Sequence, residues 1–137
     1  MANRQIFINL PIKNLDRSVA FFTALGFGFN AQFTNASATC MIVGEGSSYV
    51  MLLVEDFFKG FTKKQIADAA KTTEVLICLS CESREEVDAL VAKAVAAGAT
   101  TPNAANDHGF MYQHGFEDLD GHLWELAYMD MSAMPQA

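Results

Sequence analysis

Near the C-terminus the chain reads Phe116-Glu117-Asp118-Leu119-Asp120-Gly121-His122-Leu123-Trp124-Glu125-Leu126, and this stretch decides the fold. Asp120-Gly121 tolerates the backbone angles of a tight hairpin turn, which predicts a strand on either side of it. After the turn the side chains alternate with a β period, and Glu125 falls among apolar neighbours. A carboxylate inside a sheet is costly unless a cation, a metal or a hydrogen-bond donor meets it. Glu125 is therefore either a satisfied structural acid or part of a site.

Length and composition set the class of protein. The 137 residues, of which 51% are hydrophobic, suffice for one core and predict a single domain. The formal net charge of −7 argues against binding to nucleic acid or to an anionic membrane, since both favour a basic surface. The sequence has no long apolar run and no leader-like segment at its start. We therefore expect a soluble, cytoplasmic protein whose partner is a small molecule.

The three cysteines, Cys40, Cys78 and Cys81, are an odd number without a pairing pattern. This favours reduced thiols over a disulfide framework. Cys78-Leu79-Ser80-Cys81 does have the spacing of a redox or zinc pair. However, it lies inside an apolar, strand-like run with no second cysteine pair, so we interpret both thiols as core residues.

The first half of the chain predicts the order β-α-β-β-β. Alternation over residues 6–10 indicates a first strand that ends near Pro11. Asn14 then caps a helix that Gly26 ends. Short β-rich runs separated by turn residues predict three further strands: Phe27 to Phe33, Thr39 to Val43, and Ser48 to Val54.

Residues 55–73 interrupt this pattern and predict a connection that carries a short helix of its own. Three of its residues are the phenylalanines Phe57, Phe58 and Phe61. We interpret these rings as packing the connection onto the domain, and an apolar lid or a dimer contact is the alternative.

The pattern then restarts, which indicates two copies of one unit over about residues 4–54 and 74–130. A run that is apolar on both faces, Val75 to Cys81, predicts a central strand. Ser83 and Glu86 form a capping box for a second helix, which Gly98 ends. Three more strands are predicted at Thr100 to Asn103, Phe110 to Phe116, and His122 to Tyr128.

The repeated unit and two terminal motifs resemble the vicinal oxygen chelate superfamily. The motifs are Asn9-Leu10-Pro11-Ile12-Lys13-Asn14-Leu15-Asp16-Arg17-Ser18-Val19-Ala20-Phe21-Phe22 and the C-terminal stretch quoted above. This superfamily includes glyoxalase I, the extradiol dioxygenases, the fosfomycin-resistance enzymes and the bleomycin-binding proteins. The resemblance implies an α+β fold in which two βαβββ units form an open, cup-shaped mixed sheet with helices outside. It also implies a homodimer, in which the units pair within one chain or across two.

The resemblance places the superfamily's metal ligands on residues that are mostly apolar here: Phe7, Met51 or Leu53, and Leu76. Only Glu125, in the last strand, is retained. Divalent ions used as Lewis acids need about three or four protein donors, which these apolar side chains lack. We therefore expect no cofactor and no usual metal site. A divalent metal in a site rebuilt from the histidines is the alternative.

Among the histidines, His114 is placed best for chemistry. If the hairpin turn has four residues, counting back along the strands puts His114 across from Glu125, with Tyr112 on the same face. A register slip of one residue would bring Gln113 or Gly115 there instead. A Glu125–His114 pair is either a structural contact or a general base with its orienting partner, and Tyr112 would then be a proton donor.

Three functions fit these residues. The first is a metal-free binding protein with a largely apolar cup, in which Glu125 favours a cationic or hydrogen-donating group. The cup residues would be Phe7, Asn9, Tyr49, Met51, Leu76, Cys78 and Tyr112. The second is an enzyme of the lyase or isomerase type, resembling lactoylglutathione lyase, or a dioxygenase-like member, in which Glu125 moves a proton with His114 or Tyr112. The third is a dimeric interaction module that assembles through an apolar surface.

Overall fold

A computed structural model describes residues 3–133 of the chain. Backbone contacts divide the chain into two compact units, Met1–Ala67 and Asp68–Ala137. Each unit has the order β-α-β-β-β and contains one four-stranded mixed sheet. The predicted α+β class and the repeated unit are therefore confirmed, whereas the prediction that both units form a single domain stays a prediction.

The first unit consists of four strands and two α-helices. They are β1 (Ile6–Ile12), α1 (Leu15–Ala24), β2 (Gly28–Asn30), β3 (Ala38–Gly44), β4 (Ser48–Val54) and α2 (Glu55–Phe58). The strand order is β1-β4-β3-β2, with β1 parallel to β4 and the other neighbours antiparallel. Short 3-10 turns follow β2 and α2 at Ala31–Phe33 and Lys59–Phe61.

The second unit repeats this arrangement with one α-helix. Its elements are β5 (Leu76–Cys81), α3 (Arg84–Ala96), β6 (Asn106–Asp107), β7 (Met111–Glu117) and β8 (Leu123–Met129), followed by a 3-10 turn at Met131–Ala133. The strand order is β5-β8-β7-β6, with β5 parallel to β8 and the other neighbours antiparallel. The two sheets therefore have the same topology, and β5, which was predicted to be a central strand, is an outer strand.

Both main helices begin and end as their sequences predict. At α1 the Asn14 side chain accepts a hydrogen bond from the Arg17 N–H at 2.9 Å. At α3 the Ser83 hydroxyl accepts one from the Glu86 N–H at 3.0 Å. Beyond their last residues, Gly26 and Gly98 take φ angles of +102° and +113°, a region that disfavours other residues. Local sequence therefore sets the ends of both helices.

The sheet of the first unit carries buried residues on both faces. One face holds Leu10, Ile12, Val50 and Leu52, and the opposite face holds Cys40 and Leu53. In the second unit the corresponding alternation on β8 buries Trp124 and Leu126. Because side chains of a strand alternate between faces, Glu125 lies on the face opposite these two residues.

Two strands are shorter than predicted or lie elsewhere. The predicted strand over residues 27–33 is confined to Gly28–Asn30, because the Asn30 side chain accepts a hydrogen bond from the Gln32 N–H at 3.0 Å and starts a 3-10 turn. The predicted strand over residues 100–103 is wrong. Only Thr100 makes an isolated bridge, to Glu117, and Pro102 lacks the N–H that a ladder needs.

The helices are short. The longest, α3, has 13 residues, and the connection predicted over residues 55–73 carries the short helix α2. Within residues 3–133, none of the helices combines the length and the apolar character needed to cross a bilayer.

Candidate functional site

Asp118, rather than Glu125, is the acid that the hairpin turn buries. Asp118 is 7% exposed, and its Oδ2 atom accepts a hydrogen bond from the Trp124 indole N–H at 2.9 Å. The Oδ1 atom accepts the backbone N–H groups of Asp120 and His122, each at 2.9 Å. Burial raises the pKa of the Asp118 carboxyl, and the charge of His122 and these donors act in the opposite direction. Asp118 is thus a structural acid that organises the turn.

This turn sets the strand register. Because Asp118 captures His122, the loop includes His122, and the first pair of the hairpin is Glu117 with Leu123. The register is therefore shifted by one residue from the predicted one. Gly115 lies across from Glu125, and the predicted pairing of His114 with Glu125 is wrong.

His114 and Tyr112 lie on the other face of the second sheet. His114 pairs with Leu126, so its side chain points away from the face that carries Glu125. Tyr112 donates its hydroxyl to Asp88 on α3 at 2.6 Å, and this hydrogen bond raises the pKa of Tyr112. The three predicted catalytic residues are therefore not brought together, and the prediction that Tyr112 shares a cup surface with Glu125 is wrong.

Glu125 has a different partner. The Gln113 side-chain amide donates a hydrogen bond to Glu125 Oε2 from the neighbouring strand β7. Gln113 shares a face with Gly115, which lies directly across from Glu125 and has no side chain to separate the two. Gln113 was predicted only as a residue that a register slip would place across from Glu125. Its diagonal position, two residues from the directly opposed one, indicates the contact, because long side chains can reach across that distance.

Cys78 is the neighbour of Glu125 on its other side. The two residues are paired in the ladder between β5 and β8, and Cys78 is exposed, so its interpretation as a core residue is wrong. Neighbouring atoms still desolvate its thiol in part, which raises the thiol pKa, and the charge of Glu125 raises it further. Cys81 is buried, and burial together with Glu86 raises its pKa to about 12. Residues three apart in a strand face opposite sides, so the two thiols do not form a redox pair.

The nearness of Glu125 to Cys78 gives the first prediction. In Glu125→Gln we expect iodoacetamide to alkylate Cys78 several-fold faster at about pH 8, because removing the negative charge lowers the thiol pKa and increases the thiolate fraction. Mass spectrometry of the native protein measures the rate. Buried Cys40 and Cys81 serve as internal references and should stay unlabelled. An unchanged Cys78 rate would contradict the placement of Glu125 beside it.

A pocket of about 270 Å³ lies beside Glu125, within the second unit. Its apolar lining includes Leu76, Leu123 and Pro102, and its polar lining includes Asn103, Asn106, Gln113 and Glu125. His114, Phe116 and Trp124 also border the pocket. Of the residues predicted for binding or catalysis, Leu76 and Glu125 are thus at this pocket, and His114 borders it although its side chain points to the other face. The carboxamide side chains of Asn103 and Asn106 were not predicted there.

The first unit places its four predicted binding residues on one face of its sheet. Phe7 and Tyr49 are neighbours and stack at 4.9 Å between ring centroids, and Asn9 and Met51 are the next pair on that face. The Tyr49 hydroxyl accepts a hydrogen bond from the Gly46 N–H at 2.8 Å, so this polar group helps to close the turn. Phe7 remains 46% exposed. This surface offers mainly aromatic and apolar contacts.

One protein family matches most of this chain. The family described as the Glyoxalase/Bleomycin resistance protein/Dioxygenase superfamily matches residues 4–126, which is most of the chain. The chain belongs to this glyoxalase superfamily. None of the curated proteins matches it.

Several solved structures share this fold. Hypothetical protein SA1046 from S. aureus is 28% identical, with a TM-score of 0.77, and the match covers 93% of this chain and 95% of that one. A superfamily enzyme from Burkholderia phytofirmans PsJN is 18% identical, with a TM-score of 0.73 and coverage of 90% and 96%. The fosfomycin resistance protein FosX from Listeria monocytogenes is 19% identical, with a TM-score of 0.68 and coverage of 97% and 98%. The similarity to the latter two shows the fold alone.

The positions at which the superfamily resemblance implies metal ligands do not fit a divalent ion. Phe7, Met51, Leu53 and Leu76 have no oxygen or imidazole nitrogen to offer, which leaves Glu125 as the one strong donor of this set. Within residues 3–133, no three His, Cys, Asp or Glu side chains lie close enough together to hold a metal. These residues therefore do not provide the ligands of the superfamily's usual metal site.

Proposed function

We propose that this member of the glyoxalase superfamily binds a small molecule in the pocket beside Glu125. The observation that carries the proposal is a half-buried carboxylate, held by Gln113, on the wall of a pocket of about 270 Å³. Ligand sites are typically concave, with a few placed polar groups among apolar ones. The volume is close to the lower end of the usual range, about 300 to 1,000 Å³, which favours a small ligand.

The lining indicates the chemistry of that ligand. Glu125 is an acceptor and carries the charge, so it favours an ammonium or another strongly hydrogen-donating group. Leu76 and Leu123 provide apolar contact for the rest of the molecule, while Asn103 and Asn106 can donate or accept at its edges. We therefore propose a ligand with a cationic or donor group on a compact apolar body, bound without the superfamily's metal.

The test uses benzylamine and benzoate, which have the same ring but opposite charge. We expect benzylamine to shift the NMR signals of pocket residues, and Glu125→Gln to weaken its binding about tenfold through loss of a charge-assisted hydrogen bond. Glu117→Gln is the matched control, because Glu117 is on the same face but outside the pocket lining. Equal binding of benzoate, or unchanged benzylamine affinity in Glu125→Gln, would refute the proposal.

A second candidate is proton transfer by Glu125 in an enzyme of the lyase or isomerase type. It is favoured by the position of the carboxylate on the pocket wall, where a bound carbon acid would meet it. Since His114 and Tyr112 are on the other face, Gln113 would be the group that orients the base. Solvent deuterium incorporation into small ketones, measured by NMR, tests this role. Equal incorporation by the original protein and Glu125→Gln would end it.

We also propose that the protein is a homodimer and that it is located in the cytoplasm. An interaction module formed by this dimer is a third candidate function. Support comes from apolar residues that are exposed on the outer strands β1 and β5, namely Ile6 (54%), Phe7 (46%) and Leu76 (57%). The exposed rings of Phe57 and Phe61 are a second apolar feature. Three free cysteines agree with a reducing compartment. A monomer by light scattering at micromolar concentration would contradict the dimer.

A further inference from the structure

We propose that Arg84 is a positioning residue for the pocket: from the far face of the second sheet it holds strand β6, which supplies part of the pocket's polar wall. Arg84 is the first residue of α3, and β6 consists of Asn106 and Asp107 alone. Asn106 lines the pocket, and Asp107 bonds to Arg84. Of its tests, only the measurement of benzylamine binding rests on the proposed function.

Arg84 makes three contacts around this strand. Its Nη1 atom donates to Asp107 Oδ2 at 2.7 Å, and its Nη2 atom donates to the Gly109 carbonyl at 3.0 Å. The guanidinium carbon lies 5.2 Å from the centroid of the Tyr112 ring, over its face. We call Arg84, Asp107, Gly109 and Tyr112 the clamp. One planar fork therefore fixes both β6 and the turn that follows it, a geometry that lysine does not reproduce.

The edge strand has little else to hold it. Residues 100–109 are all exposed, so few buried apolar contacts stabilise them. A strand of two residues forms a short ladder, in which Asn106 pairs with Gln113 and Asp107 with Tyr112. Side-chain contacts at this strand therefore contribute a large part of what keeps it in place.

Alternation along the strand links the clamp to the pocket. Asp107 and Tyr112 are paired on the face that meets α3, where Tyr112 also donates its hydroxyl to Asp88. Asn106 and Gln113 are the pair on the opposite face, where Gln113 donates to Glu125. Releasing the clamp thus frees the neighbour of Gln113 and loosens the wall that orients the carboxylate.

The experiment compares Arg84→Gln and Arg84→Lys with Lys93→Gln, which removes the same charge from the last turn of the same helix. Amide exchange is followed at His108, whose N–H bonds to the Met111 carbonyl at 2.8 Å. We expect Arg84→Gln to exchange at least about fivefold faster at His108 and to shift the side-chain NH₂ signals of Gln113. Arg84→Lys should restore only part of the protection, and Lys93→Gln should match the original protein.

Asp107→Asn provides a second release of the clamp without a change in α3, so a folding defect of one variant does not decide the outcome. We expect it to change His108 and Gln113 in the same direction and to weaken benzylamine binding at least about threefold, as does Arg84→Gln. Unchanged His108 exchange in both variants overturns the clamp, and unchanged Gln113 signals overturn its link to the pocket. If benzylamine does not bind the original protein, the proposed ligand is wrong. The His108 exchange rate and the Gln113 signals still test the clamp in that case, because neither measurement needs a ligand.

Discussion

Asp118→Ala is expected to lose about 3 kcal/mol of unfolding free energy, because it removes a buried acceptor that three N–H groups share. Asp118 is 7% exposed, and it accepts a hydrogen bond from the indole N–H of Trp124, which is 1% exposed. Without the carboxylate, the buried indole N–H loses this acceptor. The backbone N–H of His122 loses the same acceptor, and the hydrogen bond that it loses closes the turn that sets the register of β7 and β8.

Urea unfolding followed by tryptophan fluorescence measures this loss, since Trp124 is the single tryptophan of the chain. Asp118→Asn should lose an intermediate amount of unfolding free energy. Its amide oxygen can replace one carboxylate oxygen as an acceptor, but its NH₂ group then faces the N–H that the other oxygen accepts. Glu45→Ala, which removes an exposed turn acid, should change the free energy by less than about 0.5 kcal/mol. A loss below about 1 kcal/mol in Asp118→Ala would show that the turn does not depend on this carboxylate.

The unfolding free energy that Asp118 contributes depends on pH. Burial raises the pKa of Asp118 in the folded protein above its ordinary value of 3.8, so the folded state holds the proton more tightly than the unfolded chain. The stability contributed by this group is therefore full below that ordinary value and falls as the pH rises through the folded pKa. Because Asn does not titrate, the deficit of Asp118→Asn should be larger in acid than at neutral pH.

The helices and most strands were predictable because their signals are local. Asn14 and Ser83 accept the N–H groups expected of helix caps, and the strand Ser48–Val54 was predicted with its observed bounds. These signals depend on residues a few positions apart, which a single sequence displays fully. The superfamily could be predicted for the same reason, from two local motifs and a repeated order of elements.

The site was less predictable because it depends on a register that one side chain controls. The turn contains one residue more than expected, since Asp118 accepts the His122 N–H. This shift places Gly115, rather than His114, opposite Glu125. A slip of one residue moves every side chain of a strand to the other face. Glu125 was correctly identified as an acid that needs a partner, but the sequence alone could not select Gln113. The clamp at Arg84 depends on contacts 23 and 25 residues away, which no local pattern reveals.

Gly115→Ala is expected to cost about 3 kcal/mol, because the strands β7 and β8 approach each other too closely there for any side chain. A Cβ atom at Gly115 would overlap the Trp124 carbonyl oxygen and lie 3.4 Å from the Glu125 Cα atom. The overlapped atom is backbone, so relief requires the two strands to separate at the residues that position Glu125. The variant should therefore lose benzylamine binding as well as stability.

Gly28→Ala is the matched control for this variant, because Gly28 also lies in a paired strand but nothing is within 4 Å of its added Cβ atom. We expect it to change the unfolding free energy by less than about 0.5 kcal/mol, since alanine costs less backbone entropy than glycine and meets no obstacle. The difference between the two variants thus isolates the steric cost from the general effect of removing a strand glycine. Equal urea midpoints for Gly115→Ala and Gly28→Ala would mean that the hairpin opens without cost beside Glu125. In that case the spacing of β7 and β8 would not be what fixes the carboxylate in the pocket wall.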